Sequence, residues 1–228
     1  MGFFSRKKKT NEDALAHEET ALESSDDSQE VGPWDESDHP ERGGLLDAGS
    51  LWLPLIPRAN IQYSVDQRRK VILGVLYVKD GSALQLQAFA APKSSGLWDE
   101  VRAEMVSVLA SQGGRSQFEE GEYGTEIRAT VPTPDKSGTY RIRYIGIDGP
   151  RWLLRVNVTG KGATDDAAAS ELLHAVLDDL VVVRGQGAHP PKEMLPLVAQ
   201  QQKEAETQAK ESFKLSLPSR GPEISEVR

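Results

Sequence analysis

Two segments with β-strand character flank the dipeptide Asp80-Gly81. Residues 71–78 are rich in the branched and aromatic side chains typical of strands, and 82–91 alternate large apolar residues with small or polar ones. A tight two-residue turn at Asp80-Gly81 would pair Tyr77 with Leu84 and Val75 with Leu86. One face of this hairpin then carries only apolar side chains, which are Val71, Leu73, Val75, Tyr77, Leu84, Leu86 and Ala88. The pattern predicts an antiparallel sheet with one buried face.

Further strands and two helices are expected along the rest of the central region. Apolar residues recur at helical spacing over 97–112 and again near 165–180, and Thr164 is the expected cap of the second helix. Strand-like composition or alternation covers parts of 45–56, then 61–66, 124–132, 139–147, 151–159 and 181–184. These elements predict an α+β fold in which a mainly antiparallel sheet packs with two principal helices.

The dipeptides Asp80-Gly81 and Asp148-Gly149 suggest an internal repeat. They stand 68 residues apart, and the same shift places the apolar positions of the first helix on those of the second. Each half then has the order strand, Asp-Gly, strand, loop, helix. Two interpretations remain, a pair of strand-strand-helix pseudo-repeats or a chance agreement between common elements.

Acidic residues are concentrated at the start of the chain. The first 43 residues hold 12 Asp or Glu and 5 Lys or Arg, so most of the chain's net charge of −8 lies there. A polar, acidic segment buries too little apolar surface to fold by itself, so 1–43 is predicted to be a disordered acidic arm with a basic start. The domain is predicted over 44–185, and 186–228 is predicted to be a polar C-terminal tail that is helical over 198–212.

One motif inside the acidic arm has a different character. Gly32-Pro33-Trp34-Asp35 places a tryptophan where the surrounding sequence offers no core. We expect Trp34 and Asp35 to form a docking motif, either on the protein's own domain or on a partner.

Composition argues against several classes of function. Cysteine is absent, which excludes disulfides, thiolate metal sites and cysteine nucleophiles. The four histidines are scattered, and no Gly-x-Ser-x-Gly motif is present, so no metal, cofactor or catalytic residue is predicted. No apolar run approaches the roughly 18 residues that suggest a membrane span. We therefore expect no stable membrane insertion and a cytoplasmic location.

Carboxylates cluster at Glu119, Glu120, Glu122 and Glu126. Paired carboxylates serve acid-base chemistry or bind divalent cations. Charged residues at a strand edge also prevent unwanted strand pairing. The cluster is therefore compatible with an enzyme acting on a phosphorylated small molecule, and equally with a purely structural edge.

Five arginines are expected to share one face of the sheet: Arg128, Arg141, Arg143, Arg151 and Arg155. A three-residue connection at Asp148-Gly149-Pro150 would pair Arg143 with Arg155 and leave Tyr140, Ile142 and Tyr144 on the buried side. Such a face could bind phosphate, a nucleotide or single-stranded nucleic acid. The alternative is a solvated face on which the arginines pair with nearby acidic residues.

Several motifs together resemble an uncharacterised actinobacterial family, domain-of-unknown-function family 3710. They are Gly32-Pro33-Trp34-Asp35, the segment 47–51, the segment 86–92, Leu97-Trp98-Asp99-Glu100, Tyr123-Gly124-Thr125-Glu126, the segment 147–155, Val183-Arg184-Gly185 and Leu195-Pro196-Leu197. The resemblance covers residues 31–197 and implies a cytoplasmic protein. Some members are encoded near a dUTPase gene, which hints at nucleotide biology, but the family supplies no catalytic residue.

These observations favour a non-enzymatic cytoplasmic binding or adaptor protein with an unidentified protein partner or ligand. One alternative is binding of single-stranded nucleic acid or a nucleotide through the arginines. Another is an enzyme that uses the glutamate cluster together with the arginines.

Overall fold

The computed structural model describes residues 32–94, 96–135 and 137–199. The predicted arm before residue 32, and the predicted tail helix from residue 200 onward, lie outside these residues. Within them, no helix is both long enough and apolar enough to cross a membrane.

A seven-stranded antiparallel sheet forms the centre of the fold. Its strands are β4 (Asn60–Asp66), β5 (Val71–Lys79), β6 (Ser82–Ala90), β7 (Arg115–Gly121), β8 (Gly124–Pro132), β9 (Thr139–Gly149) and β10 (Trp152–Gly160). Their order across the sheet is β4-β5-β6-β10-β9-β8-β7. The strand β7 was not predicted, because its sequence is polar apart from Phe118 and therefore shows no apolar alternation.

A second, small sheet contains β1 (Trp34–Asp35), β2 (Leu46–Asp47), β3 (Leu51–Leu53) and β11 (Val181–Val182). Its strand order is β1-β11-β3-β2, and within it only the β1–β11 pair is parallel. Helices α1 (Trp98–Ser111) and α2 (Asp166–Leu177) complete the fold, with a short 3-10 turn at Lys161–Ala163. The predicted α+β class, with mainly antiparallel strands and two helices, is confirmed.

The two helices pack on opposite faces of the large sheet. The small sheet and α2 cover one face, where Leu84, Leu86 and Val156 are fully buried. Helix α1 covers part of the other face and packs over β7, β8 and β9, with Trp98 and Leu153 in a smaller core. Because β6 and β10 lie beside α1 rather than beneath it, that side of the sheet remains partly open.

The first hairpin forms as predicted around Asp80-Gly81. Tyr77 pairs with Leu84, and Val75 pairs with Leu86. The predicted inward position of Val71 is wrong, since Val71 is exposed and Ile72 is buried instead. The cause is a bulge, because the β4–β5 register shifts between Ser64 and Val65 and reverses the alternation beyond it.

The predicted three-residue connection between β9 and β10 is wrong. Gly149 pairs with Trp152, so the turn is Pro150-Arg151, and Arg151 has a φ of 66°. Arg143 consequently pairs with Val158 rather than with Arg155, and Ile147 pairs with Leu154. This register buries Ile145, while Tyr140 lies on the opposite face and is exposed.

The two Asp-Gly dipeptides are not structurally equivalent. Asp80-Gly81 forms a turn, whereas Asp148 and Gly149 are the last residues of β9. The helices that follow the two hairpins also lie on opposite faces of the sheet. If the two halves were repeats, a twofold axis perpendicular to the sheet between β6 and β10 would relate them, and both helices would lie on the same face. The geometry therefore does not support two pseudo-repeats.

The folded unit extends beyond the predicted limits of 44 and 185. At its start, β1 pairs with β11. At its end, Leu195 is fully buried, and Phe89 forms a bridge with Met194.

The N-terminal cap of α2 also differs from the prediction. The side chain of Asp165 accepts a hydrogen bond from Ala168 N at 3.1 Å, and Thr164 bonds to Lys161 O.

Candidate functional site

The motif around Asp148 has a structural role at the start of α1. The Asp148 carboxylate accepts hydrogen bonds from the backbone N–H groups of Leu97 (2.7 Å) and Trp98 (3.1 Å). These groups have no acceptor within the helix, so a strand residue caps α1 from about fifty positions away. Gly146 makes room for Trp98, because an added Cβ would lie 2.0 Å from the indole ring.

The docking motif predicted at Trp34 and Asp35 lies against the protein's own domain. Trp34 Nε1 donates to Asp178 O at 2.8 Å, and Trp152 Nε1 donates to Asp35 Oδ2 at 2.7 Å. Burial acts to raise the pKa of Asp35, but hydrogen bonds from Ser37 and Trp152 outweigh it and lower this pKa. The motif thus joins the small sheet to α2 and β10.

The structure separates the five arginines that were expected on one face. Arg128, Arg141 and Arg143 lie on the α2 face, Arg155 lies on the α1 face, and Arg151 is in the turn. The prediction of a single arginine face is therefore wrong. It failed because it depended on the β9–β10 register described above.

Arg128 and Arg143 are already paired with carboxylates. Arg143 Nη2 contacts Glu126 Oε2 at 2.9 Å, and both arginines contact Asp166 Oδ1. Arg128 also contacts Glu119 at 2.7 Å and Glu126 at 2.9 Å. Glu126 and Arg143 are buried, so removal of either one would leave the other as an unpaired charge in the interior between β8 and β9.

The remaining members of the glutamate cluster also have partners. Glu120 accepts from Thr125 Oγ1 at 2.8 Å, and Glu122 contacts His174 Nε2 at 2.6 Å. His174 also contacts Asp178, and these carboxylates raise its pKa, with Asp178 contributing most. Within the described residues, no group of three or more His, Asp or Glu side chains is arranged to hold a metal ion.

A cavity of about 610 Å³ lies on the open side of α1. Its volume falls within the roughly 300–1,000 Å³ typical of small-molecule sites. One wall is the apolar side of α1, including Val101, Met105 and Leu109, and the floor is formed by polar side chains of β6 and β10. Arg155 is part of this floor.

Arg155 is held there by neutral groups. Its Nε and Nη2 atoms donate to Gln87 Oε1 at 3.2 and 2.6 Å, and its guanidinium lies 4.9 Å from the centre of the Phe89 ring. Among the described residues, the contact of Nη1 is with the Met105 sulfur, at 3.9 Å. No carboxylate of the described segments lies within 4.0 Å of Arg155, and burial lowers its pKa. Within the part of the chain that the structure describes, Arg155 is thus a partly desolvated cation without a counter-charge.

The Arg155 side chain is oriented by residues behind it. Gln87 is 9% exposed, and its Nε2 donates to Leu73 O at 2.6 Å, which turns its oxygen towards the guanidinium. Gly74 permits this arrangement, since an added Cβ would lie 3.1 Å from Gln87 Cγ and 2.9 Å from Leu86 O. The floor beneath the cavity is therefore preorganised.

Lys192 lies at the edge of the cavity and links the C-terminal segment to α1. Its Nζ contacts Glu100 at 2.8 Å and Glu104 at 2.6 Å. The backbone beside it is fixed to β6, because Lys192 N donates to Ala90 O at 2.8 Å. The segment after residue 185 thus contributes a side chain to the site, although sequence reasoning assigned it to a tail.

Of the predicted site residues, only Arg155 lines this cavity. Gln85, Gln87, Asn157 and the wall of α1 were not identified from the sequence. A signal was present, because Gln85 and Gln87 alternate with buried leucines in β6, and Arg155 and Asn157 alternate with apolar residues in β10. Their convergence depends on the pairing of Gln87 with Arg155 between strands distant in the sequence.

Residues 32–206 match the model of a family described as "Protein of unknown function (DUF3710)". The matched segment contains both sheets, both helices and the cavity. Neither a curated protein nor a solved structure matches the chain.

Proposed function

The chain belongs to this family of proteins of unknown function, and we propose that it is a non-enzymatic protein that binds a small organic anion beside α1. The observation that carries the proposal is Arg155, a partly buried cation on the floor of a 610 Å³ cavity whose contacts are to neutral groups. Withdrawing a charge from water without a partner is unfavourable. A bound anion would supply the counter-charge.

The rest of the cavity supports a small molecule as the ligand. It combines one apolar wall with a few fixed polar groups, which is the usual composition of a small-molecule site. Arg155 is oriented by Gln87 and Phe89 before any ligand arrives, which reduces the entropy lost on binding.

The other two functions considered from the sequence receive no comparable support. Nucleic-acid binding required five arginines on one face, whereas Arg155 lies across the sheet from Arg128 and Arg143. An enzyme using the glutamate cluster would need available carboxylates, whereas Glu126 is buried between two arginines.

On the basis of the family resemblance, we also propose that the protein is actinobacterial and lies in the cytoplasm. Cell fractionation tests that location.

Thermal unfolding of the full chain with a panel of organic acids and their neutral analogues tests the proposal. A ligand at about 100 times its Kd stabilises a protein by about 2.7 kcal/mol, which raises Tm by several degrees in a domain of this size. We expect at least one class of anion to produce such a shift, and R155Q to abolish it. R141Q is the matched control, because Arg141 is exposed on the opposite face.

Two results would contradict the proposal. One is that no anion stabilises the wild-type chain more than its neutral analogue does. The other is an equal shift in the wild type and in R155Q. R155K distinguishes loss of charge from loss of the planar guanidinium, and the ligand-free Tm of each variant shows whether it folds.

A further inference from the structure

The chemistry of the cavity also favours one class of anion, an inference that rests on the proposed function. We infer that the cavity beside α1 selects a carboxylate with one negative charge and an apolar body, in preference to a phosphate ester with two charges. Three features of the cavity lead to this inference: its net charge, the free edge of Arg155 and the contrast between its two walls.

The residues lining the cavity carry one net positive charge. They include two cations, Arg155 and Lys192, and one carboxylate, Glu104. Lys192 is already paired with Glu104 at 2.6 Å and with Glu100 at 2.8 Å. Arg155 is therefore the cation left to neutralise, and a single negative charge is sufficient. A second charge on the ligand would lack a counter-ion and would be repelled by Glu104.

The guanidinium presents one edge to a ligand. The Nε–Nη2 edge is occupied by Gln87 Oε1, at 3.2 and 2.6 Å. On the Nη1–Nη2 edge, the described contact is to the Met105 sulfur at 3.9 Å, and sulfur is a weak acceptor. The two oxygens of a carboxylate match two parallel N–H groups on one edge of a guanidinium. This edge thus fits a bidentate carboxylate.

The walls of the cavity favour a particular chemistry for the part of the ligand beyond its carboxylate. Val101, Met105 and Leu109 offer an apolar surface along α1, and Phe89 lies under Arg155. Asn157 Nδ2 donates to Gln85 Oε1 at 3.1 Å, whereas the buried Asn157 Oδ1 has no hydrogen-bond partner among the described residues. Because the wall along α1 is apolar, a ligand gains most by placing an apolar group, aromatic or aliphatic, against α1 while its carboxylate contacts Arg155.

Matched pairs of ligands test the head group. Calorimetry of the full chain would use 1-naphthoate with 1-naphthyl phosphate and octanoate with octyl phosphate, each at pH 5.5 and pH 8. A phosphate ester loses its second proton near pH 6, so the same molecule carries one charge at the lower pH and two at the higher. Carboxylates carry one charge at both. Tyr144, which also lines the cavity, stays neutral in this range, because burial raises its pKa.

We expect at least one of the two carboxylates, 1-naphthoate or octanoate, to bind with little change in Kd between the two pH values. The phosphate ester with the same apolar group should bind several-fold more weakly at pH 8 than at pH 5.5. R155Q should weaken carboxylate binding at least about tenfold, as expected for hydrogen bonds to a charged group, and R141Q should leave it unchanged.

The possible failures are distinguishable. If a phosphate ester binds more tightly than its carboxylate at pH 8 and R155Q removes that binding, the preference for a single charge is wrong and the proposed function stands. If none of the four ligands binds, or if R155Q binds them as tightly as the wild type does, both the inference and the proposed function are wrong.

Discussion

At the scale of single residues, Asp148 shows how the recognisable motifs of this chain differ from its candidate site. Asp148 caps α1, Gly146 accommodates Trp98, and Trp152 donates to Asp35. Asp148, Trp98, Trp152 and Asp35 belong to the motifs that carry the family resemblance, and Gly146 directly precedes one of them. Each of these contacts joins two elements of the fold. Arg155 lies in the same segment of sequence, yet its side chain lines a cavity, where it is held by the neutral groups of Gln87 and Phe89.

Replacement of Asp148 by alanine should destabilise the protein. The variant leaves the first N–H groups of α1 without their acceptor, so we expect the free energy of unfolding to fall by about 1–2 kcal/mol. Urea denaturation followed by circular dichroism measures the change. D179A is the control, because Asp179 is exposed beside α2 and should change stability by less than about 0.5 kcal/mol. Equal stability of D148A and D179A would contradict the capping role.

At the scale of elements, structure that depends on neighbouring residues was predicted correctly, whereas structure that depends on pairing between distant strands was not. The β5–β6 hairpin was predicted correctly, because its two-residue turn and its apolar face agree. The β9–β10 turn was not, because β9 carries apolar side chains on both faces, with Ile145 and Ile147 on one and Ile142 and Tyr144 on the other. Only the complete sheet decides which of these faces pairs beside Leu154. The cavity was not predictable either, since it requires the β6–β10 pairing and the sideways position of α1.

The contact between α2 and the β7–β8 hairpin should depend on pH. His174 faces Asp178 on its own helix and Glu122 on the hairpin, and these acids raise its pKa above 6.5. A raised folded-state pKa stabilises the protein fully below the unfolded value of about 6.5, and the stabilisation is lost as pH rises through the folded value. The stability advantage of the wild type over H174N should therefore shrink as pH rises from 6 to 8. A difference that stays constant or grows over this range, measured by urea denaturation, would show that the contact is not electrostatic.

At the scale of the whole molecule, the two faces of the large sheet have different tasks. On the α2 face, the small sheet covers the core, and the ion pairs around the buried Glu126 neutralise Arg128 and Arg143. On the α1 face, the helix covers only part of the sheet, and a charged side chain remains beside an open cavity. The C-terminal segment reaches this face through Lys192, so the site is built from the sheet, α1 and the segment that the sequence suggested was a tail.

Binding of an organic anion at Arg155 can be observed most directly on the arginine side chains themselves. Nitrogen-15 NMR of the full chain resolves Arg155 by comparison with R155Q, while the stabilising organic anion is added. We predict that the side-chain signal of Arg155 shifts to saturation, and that those of Arg128 and Arg143 stay in place because both are already paired. A shift of Arg128 or Arg143 without one of Arg155, or no shift of any arginine while the anion binds, would contradict this prediction.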